Sequence, residues 1–180
     1  MSTAISVKEI QKENIPQVIN YWMNASDDYL RSLGADPEKM PPAAGFEAML
    51  SQQIATPYKD KKGFAMIWYI DNQAVGHNNI NMITYGQRAN MHLHLWQAIN
   101  RKKGIGTELL KLSIPVFFEK FELQELYCEP YALNPAPNKT LPKLGFEFQK
   151  EYITTPGSIN FEQQVRQYKL SRERFHELYL

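Results

Sequence analysis

Hydrophobic and polar residues follow two different periods along the chain, which separate a helical first third from a strand-rich remainder. A strand is predicted over residues 5–10. Apolar residues then recur at intervals of three and four and predict a helix over residues 14–23. These apolar residues are Ile15, Val18, Ile19 and Trp22. Ser26 is typical of the N-cap of a second, short helix ending near Gly34, and a third helix is predicted over residues 45–55.

The remainder of the chain changes to strand-like patterning with one strong helix. Aromatic and branched residues predict a strand over 64–70, and the turn at Asp71-Asn72 predicts a hairpin with 74–83. An apolar stripe predicts a helix over 104–120, in which Pro115 should cause a kink or a weak point. Further strands are predicted over 91–96, 125–131, 146–154 and 161–170, and a short helix over 135–144. This order indicates an α/β fold with a mixed, partly antiparallel central sheet and helices on both faces.

Composition limits the class of protein. The 180 residues, 43% of them hydrophobic, suit one domain over 1–180 with a full core. Twenty basic residues balance nineteen acidic ones, so no nucleic-acid partner is expected. The single cysteine, Cys128, excludes a disulfide framework and a cysteine-rich zinc site. No signal peptide is visible, and the longest apolar run is far shorter than the roughly 20 residues that span a bilayer. We therefore expect a cytoplasmic protein without a membrane partner.

The most informative segment is a glycine turn between a predicted strand and the strongest predicted helix. Gly104 and Gly106 would let the backbone approach a bulky anion closely. The first N–H groups of the helix lie at its positive dipole end, and Arg101, Lys102 and Lys103 add positive charge there. The pattern predicts a pyrophosphate site, and a tight turn with solvated lysines is the alternative. It is neither a P-loop nor a dinucleotide fingerprint, because the G-K-[S/T] and the third glycine are missing.

Two segments together resemble a known family. Residues 101–106 resemble the [Q/R]-x-x-G-x-[G/A] signature with which the GNAT superfamily holds the pyrophosphate of coenzyme A. Residues 134–146 resemble the N-x-x-S-x-[K/R]-x-x-x-K-x-G-F segment of its RimJ/RimL-like branch. Order, spacing and the predicted elements agree with that family over nearly the whole chain. The resemblance implies a GNAT-like layered fold with a splayed strand pair, and N-acetyltransferase activity with acetyl-CoA as co-substrate.

The resemblance also implies where the coenzyme binds. Its pantetheine arm would lie between the strand before the glycine turn and the strand ending at Asn134. Backbone N–H groups near Leu95 and Trp96 would bind the thioester carbonyl and stabilise the developing oxyanion. Asn134 would bond the pantetheine arm or position the acceptor. The expected coenzyme residues are Leu95, Trp96, Arg101, Lys102, Lys103, Gly104, Ile105, Gly106, Thr107, Asn134, Asn138 and Lys139.

The second segment departs from the family pattern at one position. Pro137 stands where the family has a serine, whose hydroxyl often lies near the leaving thiolate and can donate a proton. No tyrosine occurs between Asn134 and Phe146 to replace it. The general acid is therefore open, whereas the coenzyme site is not affected. Pro142 should leave the short helix irregular.

Several residues are candidates for acid–base chemistry. His92 and His94 alternate on one face of a strand, and a histidine near neutral pH can take the proton that an amine must lose. The alternative, that both are packed or half-exposed sheet residues, is the more common outcome for histidines in a strand. No metal site is expected because no third ligand is apparent. Glu129 and Tyr131 lie on the strand leading to Asn134 and are further candidates. The polar run that starts at His77 either lines an acceptor pocket or belongs to a strand that faces water on one side.

The reading that these residues favour is acetyl transfer from acetyl-CoA to a primary amine by direct attack in a ternary complex. The acceptor would be a small molecule or a peptide N-terminus. The alternative, which the missing hydroxyl at Pro137 keeps open, is a coenzyme A-binding sensor or assembly protein with little or no activity. A nucleotide-binding domain of another kind is a third reading. The amphipathic segment 172–180 is open as a homodimer interface or as a frayed tail.

Overall fold

One mixed sheet organises the protein. The computed structural model describes residues 4–97 and 104–180, and seven strands in this part form a sheet in the order β1-β2-β3-β4-β5-β7-β6. Strands β4 and β5 pair in parallel, and the other neighbours pair antiparallel. The strands are β1 (Ile5–Glu9), β2 (Gly63–Ile70), β3 (Gln73–Thr84), β4 (Arg88–Leu95), β5 (Glu125–Cys128), β6 (Glu147–Thr154) and β7 (Gln163–Ser171). The expected α/β fold with a mixed sheet is confirmed.

Six α-helices of the described residues cover the sheet. They are α1 (Ile15–Met23), α2 (Asp27–Ser32), α3 (Ala43–Ala55), α4 (Ile105–Lys120), α5 (Pro135–Thr140) and α6 (Arg172–Tyr179). Short 3-10 turns lie at residues 12–14, 37–39, 58–60 and 141–144. Ser26 caps α2 as predicted, since its hydroxyl accepts a hydrogen bond from the Tyr29 N–H at 3.2 Å. No helix in the described residues is long and apolar enough to cross a membrane.

The two faces of the sheet carry separate hydrophobic cores because side chains alternate along each strand. On β2, Met66 and Trp68 pack with α4, whose Phe117 is fully buried. The alternate residue Ile67 packs with α1 through Trp22. The α1–α3 layer covers the β1–β4 side of its face. This arrangement leaves polar side chains of β4, β5 and β7 on the part of that face that lies beyond the helices.

The prolines of the chain shape three elements, and two of these end earlier than the sequence predicts. Strand β5 ends at Cys128 rather than at Tyr131, since Pro130 has no N–H to continue a ladder. Helix α5 ends at Thr140 and continues as a 3-10 turn through Pro142, which confirms the expected irregularity. Helix α4 runs through Pro115 without a break in its assignment.

The C-terminal segment is not a frayed tail. It forms α6, and the ring of Phe175 stacks on Phe118 with centroids 4.3 Å apart. The Tyr179 hydroxyl donates to the carbonyl of Leu144 at 3.0 Å. The apolar side of this segment is therefore used within the chain, against α4.

Candidate active site

The sheet opens between β4 and β5. These strands pair only over residues 88–90 and 125–127, and β4 then continues to Leu95. The chain after β5 follows β7 instead, where Tyr131 forms a single bridge with Val165. Because the two strands diverge after three residue pairs, backbone groups along the far half of β4 face a gap rather than a strand. This is the splayed pair that the sequence led us to expect.

The start of α4 has the features of an anion site. Gly104 adopts φ +74°, a left-handed conformation that glycine accepts at little cost. A Cβ atom built on Gly104 or Gly106 would meet no described heavy atom within 4 Å, so the outer surface of the turn is open. The first N–H groups of a helix point outwards, and the adjoining residues Ile105 and Thr107 are half-buried. The predicted cations at 101–103 lie outside the described residues.

The end of β4 uses its backbone in two directions. The Trp96 N–H was expected to donate towards the gap. It donates instead to the carbonyl of Val75 at 2.8 Å and so belongs to the sheet. N–H groups alternate in direction along a strand, which places the Leu95 N–H on the opposite edge from that of Trp96. The expectation for Leu95 stays a prediction. Gly76, opposite Leu95, allows a close approach, because a Cβ there would lie 2.5 Å from the His94 carbonyl oxygen.

Five aromatic and histidine side chains from α1, α2, β3, β4 and the residue after β4 meet beside this strand end. We call them the His–Tyr cluster: Tyr21, Tyr29, His77, His94 and Trp96. The Tyr21 hydroxyl lies 3.1 Å from His94 Nδ1 and 3.1 Å from the Tyr29 hydroxyl. Trp96 Nε1 donates to His77 Nδ1 at 2.7 Å, which leaves the His77 proton on Nε2. The His77 and His94 rings stack at 4.9 Å, and the cluster borders an open cleft of about 640 Å³.

His92 lies two residues before His94 on β4, so both side chains project from the same face of the sheet. Its Nε2 lies 3.2 Å from the side-chain oxygen of Asn81, an acceptor, so Nε2 carries the ring proton. The two histidines of β4 are therefore held by Asn81 and by Tyr21. Among residues 4–97 and 104–180, no group of three or more His, Cys, Asp or Glu side chains is arranged to hold a metal ion.

All three histidines are neutral at neutral pH. Burial, with repulsion by His92 as a second cause, lowers the pKa of His77 from 6.5 to about 3. Burial also lowers the pKa of His94 well below 6.5, and His77 and His92 add to this. Burial lowers the pKa of His92 as well, although the Glu129 carboxylate acts in the opposite direction. A neutral imidazole can accept a proton from an amine.

Glu129 follows β5 on the polar face of the sheet. Its Oε1 accepts hydrogen bonds from the Tyr152 hydroxyl and from the Gln167 side chain, and both donors are uncharged. Burial and this hydrogen bond raise the pKa of Tyr152 to about 12, so the hydroxyl keeps its proton. No lysine or arginine of the described residues forms an ion pair with Glu129, whereas the nearby Glu125 pairs with Lys169 at 3.3 Å.

The comparison with known families decides the assignment. The sequence matches the family model described as Acetyltransferase (GNAT) domain over residues 7–147. The chain belongs to the GNAT acetyltransferase family. Acetyl-CoA is the co-substrate of GNAT acetyltransferases, which confirms the expected cofactor. No match was found among curated protein sequences.

Solved structures of other GNAT proteins share the fold. RimL, the ribosomal L7/L12 alpha-N-protein acetyltransferase in complex with coenzyme A, superposes with a TM-score of 0.77 at 13% identity, over 94% of this chain and 95% of its own. Spermidine N-acetyltransferase from Vibrio cholerae in complex with CoA and spermine has a TM-score of 0.77 at 14% identity, over 96% and 98%. Aminoglycoside acetyltransferase AAC(6')-Ib with coenzyme A and kanamycin has a TM-score of 0.73 at 14% identity, over 97% and 98%. The likeness to RimL is consistent with the RimJ/RimL-like branch.

In this GNAT chain the second motif forms a rigid loop. The Asn138 side chain donates to the carbonyls of Tyr131 at 3.0 Å and Asn134 at 2.7 Å, and it accepts from the Tyr168 hydroxyl at 3.2 Å. Its amide is thus used within the protein and shapes the loop between β5 and α5. Asn134 is half-buried at the N-cap of α5, and Lys139 is exposed. Their contacts with the coenzyme stay predictions.

Tyr131 and Pro137 complete the description of the motif. The Tyr131 ring packs edge-on against Phe161 at 5.7 Å, and its hydroxyl makes no hydrogen bond to a described residue. A catalytic role of Tyr131 stays a prediction. Pro137 is buried in α5 and offers no hydroxyl.

Four residues that hold the candidate side chains carry no local signal in the sequence. Tyr21, Asn81, Tyr152 and Gln167 contact His94, His92 and Glu129 from distant parts of the chain. Tyr21 lies 73 residues from His94, and nothing in either local pattern connects them. The usable signal was the polar run at His77, because polar residues on a central strand require partners that pack over them.

Proposed function

We propose that the protein transfers the acetyl group of acetyl-CoA to a cationic primary amine by direct attack in a ternary complex. The observation that carries this proposal is the gap beyond Asn90 and Tyr127. It lies between the start of α4 and a face that holds neutral histidines and Glu129, a carboxylate that forms no ion pair with a described residue. Since one sheet runs from Ile5 to Ser171, we infer that residues 1–180 act as one acetyltransferase domain.

The coenzyme would be held mainly by backbone groups. The N–H groups of Gly104, Ile105 and Gly106 fit the pyrophosphate, because the first N–H groups of a helix point outwards and a Cβ on either glycine would meet no described atom within 4 Å. The Thr107 N–H donates to the Gly104 carbonyl at 3.0 Å, so Thr107 would contribute through its side chain. Residues 101–103 would add positive charge, and Asn134 and Lys139 would border the pantetheine arm. Acetyl-CoA supplies an activated acetyl thioester when it is bound. A thiol is a fair leaving group near neutral pH, so water can protonate it where Pro137 replaces the hydroxyl.

The acceptor would be recognised by Glu129. Among the described residues, this partly buried carboxylate receives hydrogen bonds from neutral donors and forms no ion pair, so an ammonium group would supply the positive charge that it favours. The similar proteins in complex with spermine and with kanamycin bind polyamine-like cations. We therefore favour a small acceptor with more than one amino group over a peptide N-terminus.

The amine must lose a proton before it can attack. His92 and His94 are neutral imidazoles on the face that Glu129 shares, so either can take that proton. A depressed pKa keeps the base form available below pH 6.5.

A second function remains specific enough to test. The buried Pro137 in place of a proton-donating serine favours a coenzyme A-binding protein with little activity. Calorimetric titration with acetyl-CoA, with ATP and NAD as controls, establishes binding first. Release of free coenzyme A thiol is then followed with a panel of spermidine, kanamycin and a short peptide. Binding without thiol release on any amine supports the second function, and no binding refutes both.

The role of Glu129 has a matched control on the same face. We expect Glu129→Gln to raise the acceptor KM by about tenfold or more, because the ammonium loses a charged partner. The affinity for acetyl-CoA should not change. Glu125→Gln removes a carboxylate that already pairs with Lys169, and it should leave the KM near the wild-type value. Equal effects of the two substitutions on KM would contradict recognition by Glu129.

A further inference from the structure

A hydrogen-bonded chain leads from β4 to the open cleft beside α1 and α2. It runs from His94 Nδ1 to the Tyr21 hydroxyl and on to the Tyr29 hydroxyl, with two links of 3.1 Å each. Tyr21, Tyr29 and Trp96 line the cleft. His94 is half-buried, and its other ring nitrogen, Nε2, makes no hydrogen bond to a described residue. His94 therefore has one ring nitrogen on the chain and one available to another molecule.

The tyrosine in the middle of this chain is held in place by its ring. Aromatic contacts place the Tyr21 ring 5.0 Å from Trp22, 5.7 Å from His77 and 6.4 Å from Trp96. These contacts fix the hydroxyl between its two neighbours. Phenylalanine at this position would keep the ring contacts and remove only the hydroxyl.

Resting on the proposed function, we propose that Tyr21 and Tyr29 are positioning residues that relay the proton of the acceptor ammonium from His94 to water in the cleft. His94 Nε2 accepts the proton as the N–H bond of the amine breaks. The Nδ1 proton passes to the Tyr21 oxygen while Tyr21 gives its own proton to Tyr29, and Tyr29 gives its proton to water. Both tyrosines end neutral and one hydronium forms. His94 ends neutral with its proton on Nε2, and it regains its first tautomer by exchange with water.

The surroundings of His94 favour passing a proton on over keeping the imidazole protonated. The titratable groups that face it are Tyr21 from α1, Tyr29 from α2, His77 from β3 and His92 from β4. No carboxylate of the described residues contributes to its shift, and burial together with His77 and His92 lowers its pKa. A proton on His94 is thus disfavoured, and the hydroxyl chain offers it a way out.

The test compares Tyr21→Phe, Tyr29→Phe and the double variant in steady-state turnover over a range of pH and buffer concentration. Tyr69→Phe is the matched control. Tyr69 is a half-buried tyrosine whose hydroxyl accepts a hydrogen bond from Asn14 at 3.0 Å and takes no part in the His94–Tyr21–Tyr29 chain of hydrogen bonds. We expect Tyr21→Phe to lower kcat on the order of 100-fold, with unchanged acetyl-CoA affinity. Imidazole added to the assay should restore part of the rate of Tyr21→Phe and leave the wild-type rate unchanged.

The double variant distinguishes a relay from packing. Two links in series fail together, so the double variant should be no slower than Tyr21→Phe alone. Additive losses without rescue by imidazole would identify a structural role and overturn the relay. Wild-type kcat in Tyr21→Phe would overturn it as well, with the proposed function intact. Wild-type protein that binds acetyl-CoA but acetylates no amine would overturn the proposed function and the relay with it.

Discussion

Acidification should destabilise this protein through His77, whose imidazole is 4% exposed. Its pKa is about 3 in the folded chain and 6.5 in the unfolded one, so between these values only the unfolded chain binds the proton. Stability from this residue is complete above about pH 7 and is lost as the pH falls below 6.5. Each pH unit in this window corresponds to about 1.4 kcal/mol. Between pH 7 and pH 5, His77 alone should lower the free energy of unfolding by about 2 kcal/mol.

The variant that isolates this effect is His77→Asn. Its side-chain oxygen can still accept the hydrogen bond from Trp96 Nε1, and it cannot titrate. Urea unfolding at several pH values between 5 and 7.5 measures the slope. In wild-type protein the loss over this range corresponds to a fall in melting temperature of about 4–8 °C. His77→Asn should show a shallower slope, by about 1.4 kcal/mol per pH unit at the acid end.

A non-titrating substitution at the paired position separates destabilisation from protonation. Ile67 pairs with His77 across β2 and β3, and it is fully buried. Ile67→Val should lower stability by about 1 kcal/mol at every pH and keep the wild-type slope. Equal slopes for wild-type protein and His77→Asn would refute the argument that burial holds this imidazole neutral.

Two further predictions concern the backbone and the thiol. Gly76→Ala should lower the free energy of unfolding by about 1–3 kcal/mol in urea and reduce kcat, because the new Cβ would push the His94 carbonyl away from β3. Gly45→Ala, with only ordinary contacts in α3, should not lower stability, and an equal loss in both would contradict this reason. Burial raises the pKa of Cys128 to about 12, so Ellman's reagent should detect its thiol only after unfolding. Rapid labelling of the native protein would refute this.

The fold was predictable because its signals are local. The spacing of apolar residues indicated α1 and α4, and the turn at Asp71-Asn72 indicated the β2–β3 hairpin, where both residues have positive φ. The end of β5 was misplaced because pattern alone does not reveal where a strand stops pairing with one of its two neighbours. The loss of pairing with β4 after Tyr127, while β7 stays paired, creates the gap on which the site depends.

The candidate site was only partly predictable from the sequence. The alternation of His92 and His94 placed both on one face, and Glu129 followed from its position at the end of a strand. The neutrality of the histidines depends on burial by α1 and α2, which no local pattern contains. The pairing of the Trp96 N–H with Val75 was likewise invisible, since it depends on the register between β3 and β4. Contacts between distant segments account for each of these differences.

The short ladder between β4 and β5 also has a mechanical consequence. Three residue pairs join the β1–β4 half of the sheet to the β5–β7–β6 half, with α4 packed across both. A coenzyme arm lying in the gap would act as a missing strand and bridge the seam. Ligand at 100 times its Kd adds about 2.7 kcal/mol to the stability of the folded state. Bound co-substrate would then form part of the sheet, and the rigidity of the β4–β5 junction would depend on the concentration of co-substrate.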